Sequence, residues 1–201
     1  MTTPTRRWAR TDATQQRILD AATEVFRTRG FSAATMADIV ERSGASIGSI
    51  YHHFGGKREL FLAIYDRLSA DVELRLAEAA STAARLDSQQ AFAVHVRAYL
   101  TAIWENRQAA MMMAAGDVPA DFEALRRKNT LMFFDRWMGV LDVDSTKRGQ
   151  LLSRVLIAIL SEASLMVTAC DKVADVEPIS DATIEWIARL RTSPGSEVGD
   201  R

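Results

Sequence analysis

The residues best suited to chemistry in this sequence form one short run between positions 46 and 57. They carry hydroxyl, imidazole and ammonium groups, with no carboxylate among them: Ser46, Ser49, Tyr51, His52, His53 and Lys57. Such groups bond phosphate oxygens and the edges of bases. Gly48 adds no side chain, so the backbone can approach a ligand closely there. The run therefore predicts a surface that binds nucleic acid.

Two short helices joined by a tight turn position this run. Thr35 is a good N-cap for the helix that follows it, and Asp38 gives a weaker form of the capping box. Gly44 ends that helix, and Ser46 caps a second one, Ile47–Phe54. This is the layout of a helix-turn-helix, whose second helix enters the major groove of DNA. A plain three-helix cap that binds nothing has the same layout.

The remaining sequence predicts an all-α fold. Helical spacing recurs along the chain, while strand alternation is almost absent. A basic arm at 1–13 is expected to be flexible, a helix-turn-helix head to occupy 14–57, a helical body 58–191, and a disordered tail 192–201. About nine helices are expected, the first at 14–29 with a stop at Gly30 and the later ones from 57 past 80 and at 88–106, 107–115, 120–141, 145–170 and 179–191.

Charge and cysteine content indicate the kind of partner and the cellular compartment of the protein. Residues 1–60 carry nine Lys/Arg against six Asp/Glu, whereas the whole chain has a net charge of −1. A basic head fits a polyanionic partner, although ordinary surface scatter gives the same imbalance. The single cysteine, Cys170, excludes a disulfide framework. The start of the chain does not resemble a secretory signal, and the most apolar run, 155–160, is short for a membrane span. A soluble cytoplasmic protein is expected.

The residues needed by an enzyme are not grouped in this sequence. Two of the three histidines are adjacent in the predicted second helix of the motif, and the cysteine has no evident base. No glycine-rich phosphate loop follows a strand, and no His/carboxylate set has the spacing of metal ligands. We therefore expect no catalytic residues, no metal and no cofactor.

A longer series of residues gives a specific resemblance. Residues 14–68, about a quarter of the chain, resemble the N-terminal domain of the TetR/AcrR family of bacterial transcriptional regulators. The matching positions are Ile18-Leu19-Ala21-Ala22, Phe26-x3-Gly30-Phe31, Thr35-x3-Ile39, Gly44-x-Ser46-x-Gly48-x-Ile50-Tyr51-x-His53-Phe54 and Lys57-x2-Leu60. The resemblance implies a homodimer that reads a palindromic operator in double-stranded DNA. It also implies that the helical body binds an effector and forms the dimer.

The resemblance implies roles for single residues as well. Thr35, Tyr51, His52 and Lys57 match phosphate contacts, while Ile50 and Phe54 match core positions. The positions nearest the base edges are Ser46, Ile47, Gly48 and Ser49. His53 either reaches phosphate or packs under the helix. Many family members carry Lys or Arg where this chain has Ile47, so a bidentate contact to guanine is lost there and a thymine methyl is the alternative partner.

An effector site is expected among the aromatic and methionine side chains of the body. Flexible thioethers suit a site that adapts to apolar ligands, and the resemblance places the effector pocket among these helices. The hypothesis assigns a small, largely apolar ligand to Phe92, His95, Trp104, Met112, Phe133, Phe134 and Trp137. For each of these residues, ordinary core packing is the alternative.

A dimer interface is expected on the last two helices. The helix at 145–170 is apolar nearly all round between Val155 and Val167, so it should be covered on every side. The resemblance implies that these helices pair with their two-fold mates, through Leu156, Leu160, Ser164, Ile184 and Ile187. The alternative is that both helices are buried within one protomer.

The function predicted is that of a dimeric repressor, released from its operator by the apolar ligand. The alternative is a DNA-binding activator or repressor that responds to a protein partner.

Overall fold

A computed structural model describes the backbone of residues 4–129 and 146–192 and the side chains of 13–129 and 146–190. Within these ranges the fold is helical without a strand, which confirms the all-α class. The helices are α1 (Pro4–Ala33), α2 (Met36–Ser43), α3 (Ile47–Phe54), α4 (Lys57–Ala83), α5 (Ser88–Glu105), α6 (Arg107–Ala114), α7 (122–129), α8 (Lys147–Thr168) and α9 (Val176–Thr192), with a 3₁₀ turn at Val173–Asp175 before α9.

The N-terminal boundary of α1 differs from the sequence prediction. The helix begins at Pro4, so the backbone from 4 to 13 is helical and not an arm. Proline is well suited to the first helical position, because its missing amide would have no intrahelical partner there. No glycine or second proline interrupts the helix before Gly30, where it kinks.

Two other predicted segments are described only in part. Of the predicted tail, Thr192 belongs to α9 and 193–201 lie outside the described residues. The predicted helix at 120–141 is described only to 129.

The chain divides into two compact units that are not continuous in sequence. Among the described residues, unit 1 comprises 4–73 and 106–129, and unit 2 comprises 74–105 and 146–192. The DNA-binding head was expected to end at 57. Unit 1 extends beyond that point and includes the first part of α4 together with α6 and α7.

Aromatic side chains explain why α7 belongs to unit 1. The Phe122 ring lies 5.0 Å from the Phe61 ring and 5.2 Å from the Tyr65 ring, in edge-to-face arrangements. Phe61 also contacts Phe26 of α1, with the centroids 5.8 Å apart. Edge-to-face pairs of this kind add to the free energy gained from burial. The fully buried core of unit 1 consists of Ile18, Ala22, Ile39, Ile50, Leu60, Phe61, Ile64 and Phe122.

Unit 2 is built on α5, α8 and α9. Its buried cluster contains Phe92, Val96, Leu100, Leu156, Leu160, Ala163, Val167, Val176 and Ile187. Two polar contacts lie beside this cluster. The hydroxyls of Tyr99 and Ser164 are 3.1 Å apart, and the Trp104 indole N–H donates to the Cys170 carbonyl at 3.1 Å. Burial raises the pKa of Tyr99, against the lowering effect of its Ser164 contact.

The expected interface residues need correction. Leu156, Leu160 and Ile187 are buried inside the protomer, because α5, α8 and α9 cover one another. Ser164 and Ile184 are half-buried. The sequence could not orient α8, since apolar residues occupy most of its circumference. Its exposed side still carries large apolar groups, as does that of α9: Leu151, Val155, Leu165, Met166, Trp186 and Leu190.

α8 alone among the described helices has the length and mean hydropathy of a membrane span. Its buried residues Leu156, Leu160, Ala163 and Val167 lie in the core of unit 2, while 28% of its apolar window is buried inside the protein.

Gly30 and Gly44 both adopt positive φ, but their surroundings differ. Gly30 (φ 78°, ψ 162°) occupies a region that is essentially restricted to glycine, and Gly44 (φ 64°, ψ 13°) is a left-handed C-cap of α2. A Cβ on Gly30 would lie 2.2 Å from Oδ2 of Asp117, whereas a Cβ on Gly44 would meet nothing within 4 Å.

We predict that Gly30→Ala destabilises the protein more than Gly44→Ala. The Gly44→Ala change costs about 1–2 kcal/mol of backbone strain, and Gly30→Ala adds a steric clash with Asp117. The free energy of unfolding, measured in urea, gives the difference. The double variant Gly30→Ala/Asp117→Ala should recover part of the loss, because it removes the clashing carboxylate. Equal losses for the two single variants would contradict this account.

Candidate nucleic-acid interface

Helix α3 is held by caps at both ends and by one buried anchor. Ser46 is its N-cap, and the Ser46 hydroxyl accepts the Ser49 amide at 3.1 Å. At the other end the Gly55 amide donates to the Tyr51 carbonyl at 2.9 Å. Ile50 is fully buried against the rest of unit 1. These local features agree with the helix bounds and the cap that the sequence predicts.

The side of α3 opposite Ile50 faces solvent. Ile47 is 45% exposed and Tyr51 is 50% exposed, large fractions for apolar and aromatic side chains. Ser46, Gly48 and His52 are also exposed, and Ser49 is half-buried. The residues predicted to approach DNA therefore lie together on one accessible surface without a carboxylate, as the second helix of the motif requires.

His53 lies at the edge of this surface. It is half-buried, with Nδ1 3.4 Å from Nε2 of Gln15 on α1, and its ring lies 5.3 Å from that of His52. The neighbouring α1 favours the packing role that the sequence left open, and a phosphate contact from this imidazole stays a prediction.

The N-terminus of α2 is already occupied by a carboxylate of the chain. Asp38 accepts the Thr35 amide at 2.9 Å and the Thr35 hydroxyl at 2.8 Å, and the Asp38 amide donates to the Thr35 hydroxyl oxygen at 3.2 Å. These bonds from Thr35, and secondarily the Arg29 guanidinium, lower the pKa of Asp38. The predicted capping box is thus confirmed. The Thr35 hydroxyl proton, however, points to Asp38, so a phosphate here must use other amides of the first turn.

Lys57 also has internal partners in place of a free ammonium group. Its Nζ donates to the carbonyls of Phe31, Ser32 and Ala34 at 2.8, 3.3 and 2.9 Å. The same ammonium lies 4.6 Å from the centre of the Phe31 ring. Lysine has three donors, and all three are matched by these carbonyls. In this structure Lys57 holds the end of α1 and Ala34, and its phosphate contact stays a prediction that must compete with these carbonyls.

Two carboxylates that follow α6 were not identified from the sequence. Asp117 accepts the Ser32 hydroxyl at 2.6 Å and the Ser32 amide at 3.1 Å, and Asp121 pairs with Arg58 at the start of α4. The Ser32 hydroxyl and amide lower the pKa of Asp117, and the Arg58 guanidinium lowers that of Asp121. Because Asp117 lies 85 residues from Ser32 in sequence, no local pattern indicates the contact.

The residues assigned to an effector are separated between the two units. Phe92 belongs to the buried core of unit 2, while Met112 is buried in unit 1. His95 bonds the Ala91 carbonyl of its own helix through Nδ1 at 2.7 Å, and the Trp104 indole bonds Cys170. Phe133, Phe134 and Trp137 lie outside the described residues.

Comparison with known proteins identifies the N-terminal part of the chain. Residues 18–64 match the sequence profile of the bacterial regulatory proteins of the tetR family. This range contains α2 and α3 and ends in α4, so it covers the surface described above.

Curated relatives carry the names of transcriptional regulators. The regulator SrpR of Pseudomonas putida is 41% identical over 33% of this chain and 31% of its own length. The repressor AcnR of Corynebacterium efficiens is 40% identical over 33% of this chain and 34% of its own length. The activator FasR of Mycolicibacterium smegmatis is 26% identical over 87% of this chain and 81% of its own length. The chain thus spans about a third of the first two relatives, and their names agree with the expectation that it is not an enzyme.

Solved structures share the fold over most of the chain. A TetR-like transcriptional regulator from Rhodococcus sp. RHA1 superposes with a TM-score of 0.72, at 21% identity, over 90% of this chain and 97% of its own. FadR from Bacillus subtilis, solved in complex with stearoyl-CoA, superposes with a TM-score of 0.68, at 15% identity, over 90% of this chain and 99% of its own.

We predict that Tyr51→Phe weakens binding to all DNA duplexes by a similar factor. Loss of one hydroxyl bond to phosphate corresponds to about a 3- to 10-fold change in the dissociation constant. Fluorescence anisotropy with several labelled duplexes measures the change. Tyr65→Phe is the matched control, because Tyr65 lies in the same unit with its ring against Phe122, and it should bind as the wild type does. Unchanged binding by Tyr51→Phe would show that the Tyr51 hydroxyl does not contact phosphate.

Proposed function

We propose that this chain, a member of the TetR/AcrR family of bacterial regulators, is a dimeric repressor that leaves a palindromic operator when a small, largely apolar ligand binds. The observation that carries the proposal is the exposed side of α3. It offers uncharged hydrogen-bond donors and acceptors without a carboxylate, while Ile50 anchors the opposite side.

This surface suits the major groove of duplex DNA. Ser46 and Ser49 lie at the N-terminal end of α3, where a recognition helix contacts base edges. The exposed Ile47 suits contact with a thymine methyl, and Gly48 allows close approach of the backbone. Tyr51 and His52 lie one turn further on and suit the phosphates beside the groove.

The exposed apolar residues of unit 2 support a homodimer. On α8, Leu151, Val155 and Leu165 follow helical spacing on the side away from the buried core. On α9, Trp186 and Leu190 lie four residues apart and are exposed. Large exposed apolar side chains grouped on one side of a helix favour an interaction site, although the exposed Glu162 lies among them on α8. A two-fold dimer through these side chains presents two copies of α3, which must match half-sites about 34–36 Å apart or a multiple of that distance.

Ligand control is supported by the chemistry of unit 2 and by one structural neighbour. FadR of Bacillus subtilis, which shares the fold, was solved with stearoyl-CoA, a ligand with a long apolar chain. In the present chain, Tyr99 and Ser164 form a polar pair beside apolar side chains of unit 2. Ligand pockets in proteins combine a mostly apolar lining with few polar groups. A ligand releases DNA only to the extent that it binds the released state more tightly.

Activation is the second candidate function. It is favoured by FasR, which is named an activator and aligns with 87% of this chain. A reporter gene placed behind the operator separates the two outcomes, because deletion of the regulator raises expression under repression and lowers it under activation.

The test of the function is selection of bound fragments from random duplex DNA, in about 50 mM salt. We expect an enriched inverted repeat, protected from nuclease on both half-sites. Addition of fatty acids or other apolar compounds should then lower the affinity for that repeat. Failure to enrich any sequence would overturn the proposal, and insensitivity to a broad set of compounds would favour control by a protein partner.

We predict that Val155→Arg converts the dimer to a monomer. A desolvated charge at the centre of an apolar interface is strongly unfavourable, so the dimer dissociation constant should rise more than 100-fold. Sedimentation equilibrium measures the change. Leu86→Arg is the matched control, because Leu86 is 39% exposed and Val155 is 38% exposed. A Val155→Arg variant that stays dimeric would exclude this side of α8 as the interface.

A further inference from the structure

The carboxylate of Asp117 lies beside the last residues of α1, which follow the kink at Gly30. Its oxygens accept the Ser32 hydroxyl at 2.6 Å and the Ser32 amide at 3.1 and 3.3 Å, and the Phe31 amide contributes to the lowered pKa of the group. Gly30 provides the space, since a Cβ there would lie 2.2 Å from Asp117 Oδ2. A glycine at position 30 is therefore required for the carboxylate to lie beside the backbone there.

Lys57 binds the same segment, residues 31–34, through the backbone carbonyls of that segment. The carbonyls of Phe31, Ser32 and Ala34 accept bonds from the Lys57 ammonium, while the amide and hydroxyl of Ser32 are bonded to Asp117. Residues 31–34 are therefore fixed between an anion and a cation. The next residue is Thr35, the N-cap of α2.

A second set of contacts fixes the segment that carries Asp117. Asp121 forms an ion pair with Arg58, and the buried Phe122 ring packs against Phe61 and Tyr65. The segment 117–122 is thereby attached to α4 at one end and to the end of α1 at the other. All of these contacts lie within unit 1.

We propose that Asp117 is a positioning residue for DNA binding, which fixes residues 31–34 and through them the N-terminus of α2. This inference rests on the proposed function. Asp117 touches no DNA in this account, and it acts by holding the helix that precedes and supports the recognition helix. Loss of the bonds between Asp117 and Ser32 lowers operator affinity without removing any DNA contact.

Exposure of these bonds distinguishes positioning from a general contribution to stability. Ser32 is exposed and Asp117 is half-exposed, and exposed polar contacts add little net stability to a fold. The aromatic core around Phe61 and Phe122 does not depend on the carboxylate. Removal of the carboxylate should therefore loosen residues 31–35 while the unit stays folded.

The test compares full-length variants on the selected operator. Asp117→Ala should weaken binding about 2- to 5-fold, the range that matches the small net contribution of exposed polar contacts, with an unchanged salt slope and a melting temperature close to that of the wild type. Hydrogen exchange of the amides at 31–38 should become faster. Ser32→Ala should give a smaller loss in the same direction, and adding it to Asp117→Ala should give no further loss.

The control is Asp87→Ala. Asp87 also accepts two backbone amides, those of Gln89 and Gln90 at 2.9 Å, but it lies in unit 2. This variant should bind the operator as the wild type does. A wild-type chain that selects no DNA would overturn the proposed function itself. Wild-type affinity in Asp117→Ala, or a loss of affinity equal in Asp87→Ala, would overturn only the positioning role.

Discussion

Burial of Ile50 is the constraint on which the DNA-facing surface depends. Helix α3 has eight residues, too few to persist in water through its own hydrogen bonds. Its caps satisfy the end groups, but the orientation of the helix comes from the apolar side chain that inserts into the core of unit 1. Once Ile50 is fixed, the helical period places Gly48 and His52 on the opposite side, with Tyr51 beside them. Ile47 is exposed because it is the first residue of the helix. The same period that folds the head thus selects which residues the proposed interface offers to a duplex.

Charged groups near this surface are used mainly to fix the backbone. Lys57 is bonded to three carbonyls, and Asp38 caps α2 and pairs with Arg29. Helix α3 itself carries no lysine or arginine. Its recognition chemistry therefore rests on hydroxyls, imidazoles, an isoleucine and bare backbone, which sense hydrogen bonding and shape more than charge.

Local features were predictable from the sequence, and distant ones were not. The bounds of α2 and α3 follow from Thr35, Gly44 and Ser46, whose effects act within one helical turn. The side of α8 that meets the core was not predictable, because apolar residues occupy most of its circumference; the dimer assignment of Leu156 and Leu160 failed for that reason. Asp117 escaped notice because its partner lies 85 residues away. Gly30 predicts a helix stop from the sequence, whereas the close approach of Asp117 to it depends on the tertiary fold.

The discontinuity of unit 1 has a practical consequence for building chimaeras. An exchange of heads between related proteins that cuts the chain near residue 57 would transplant Gly30 and Ser32 but leave behind Asp117 and Phe122 of the original head. In the hybrid, the space beside Gly30 would face whatever residue the other protein has at the position of Asp117. A chimaera that keeps unit 1 intact must therefore include residues 106–129 together with 4–73, because the two segments form one compact unit.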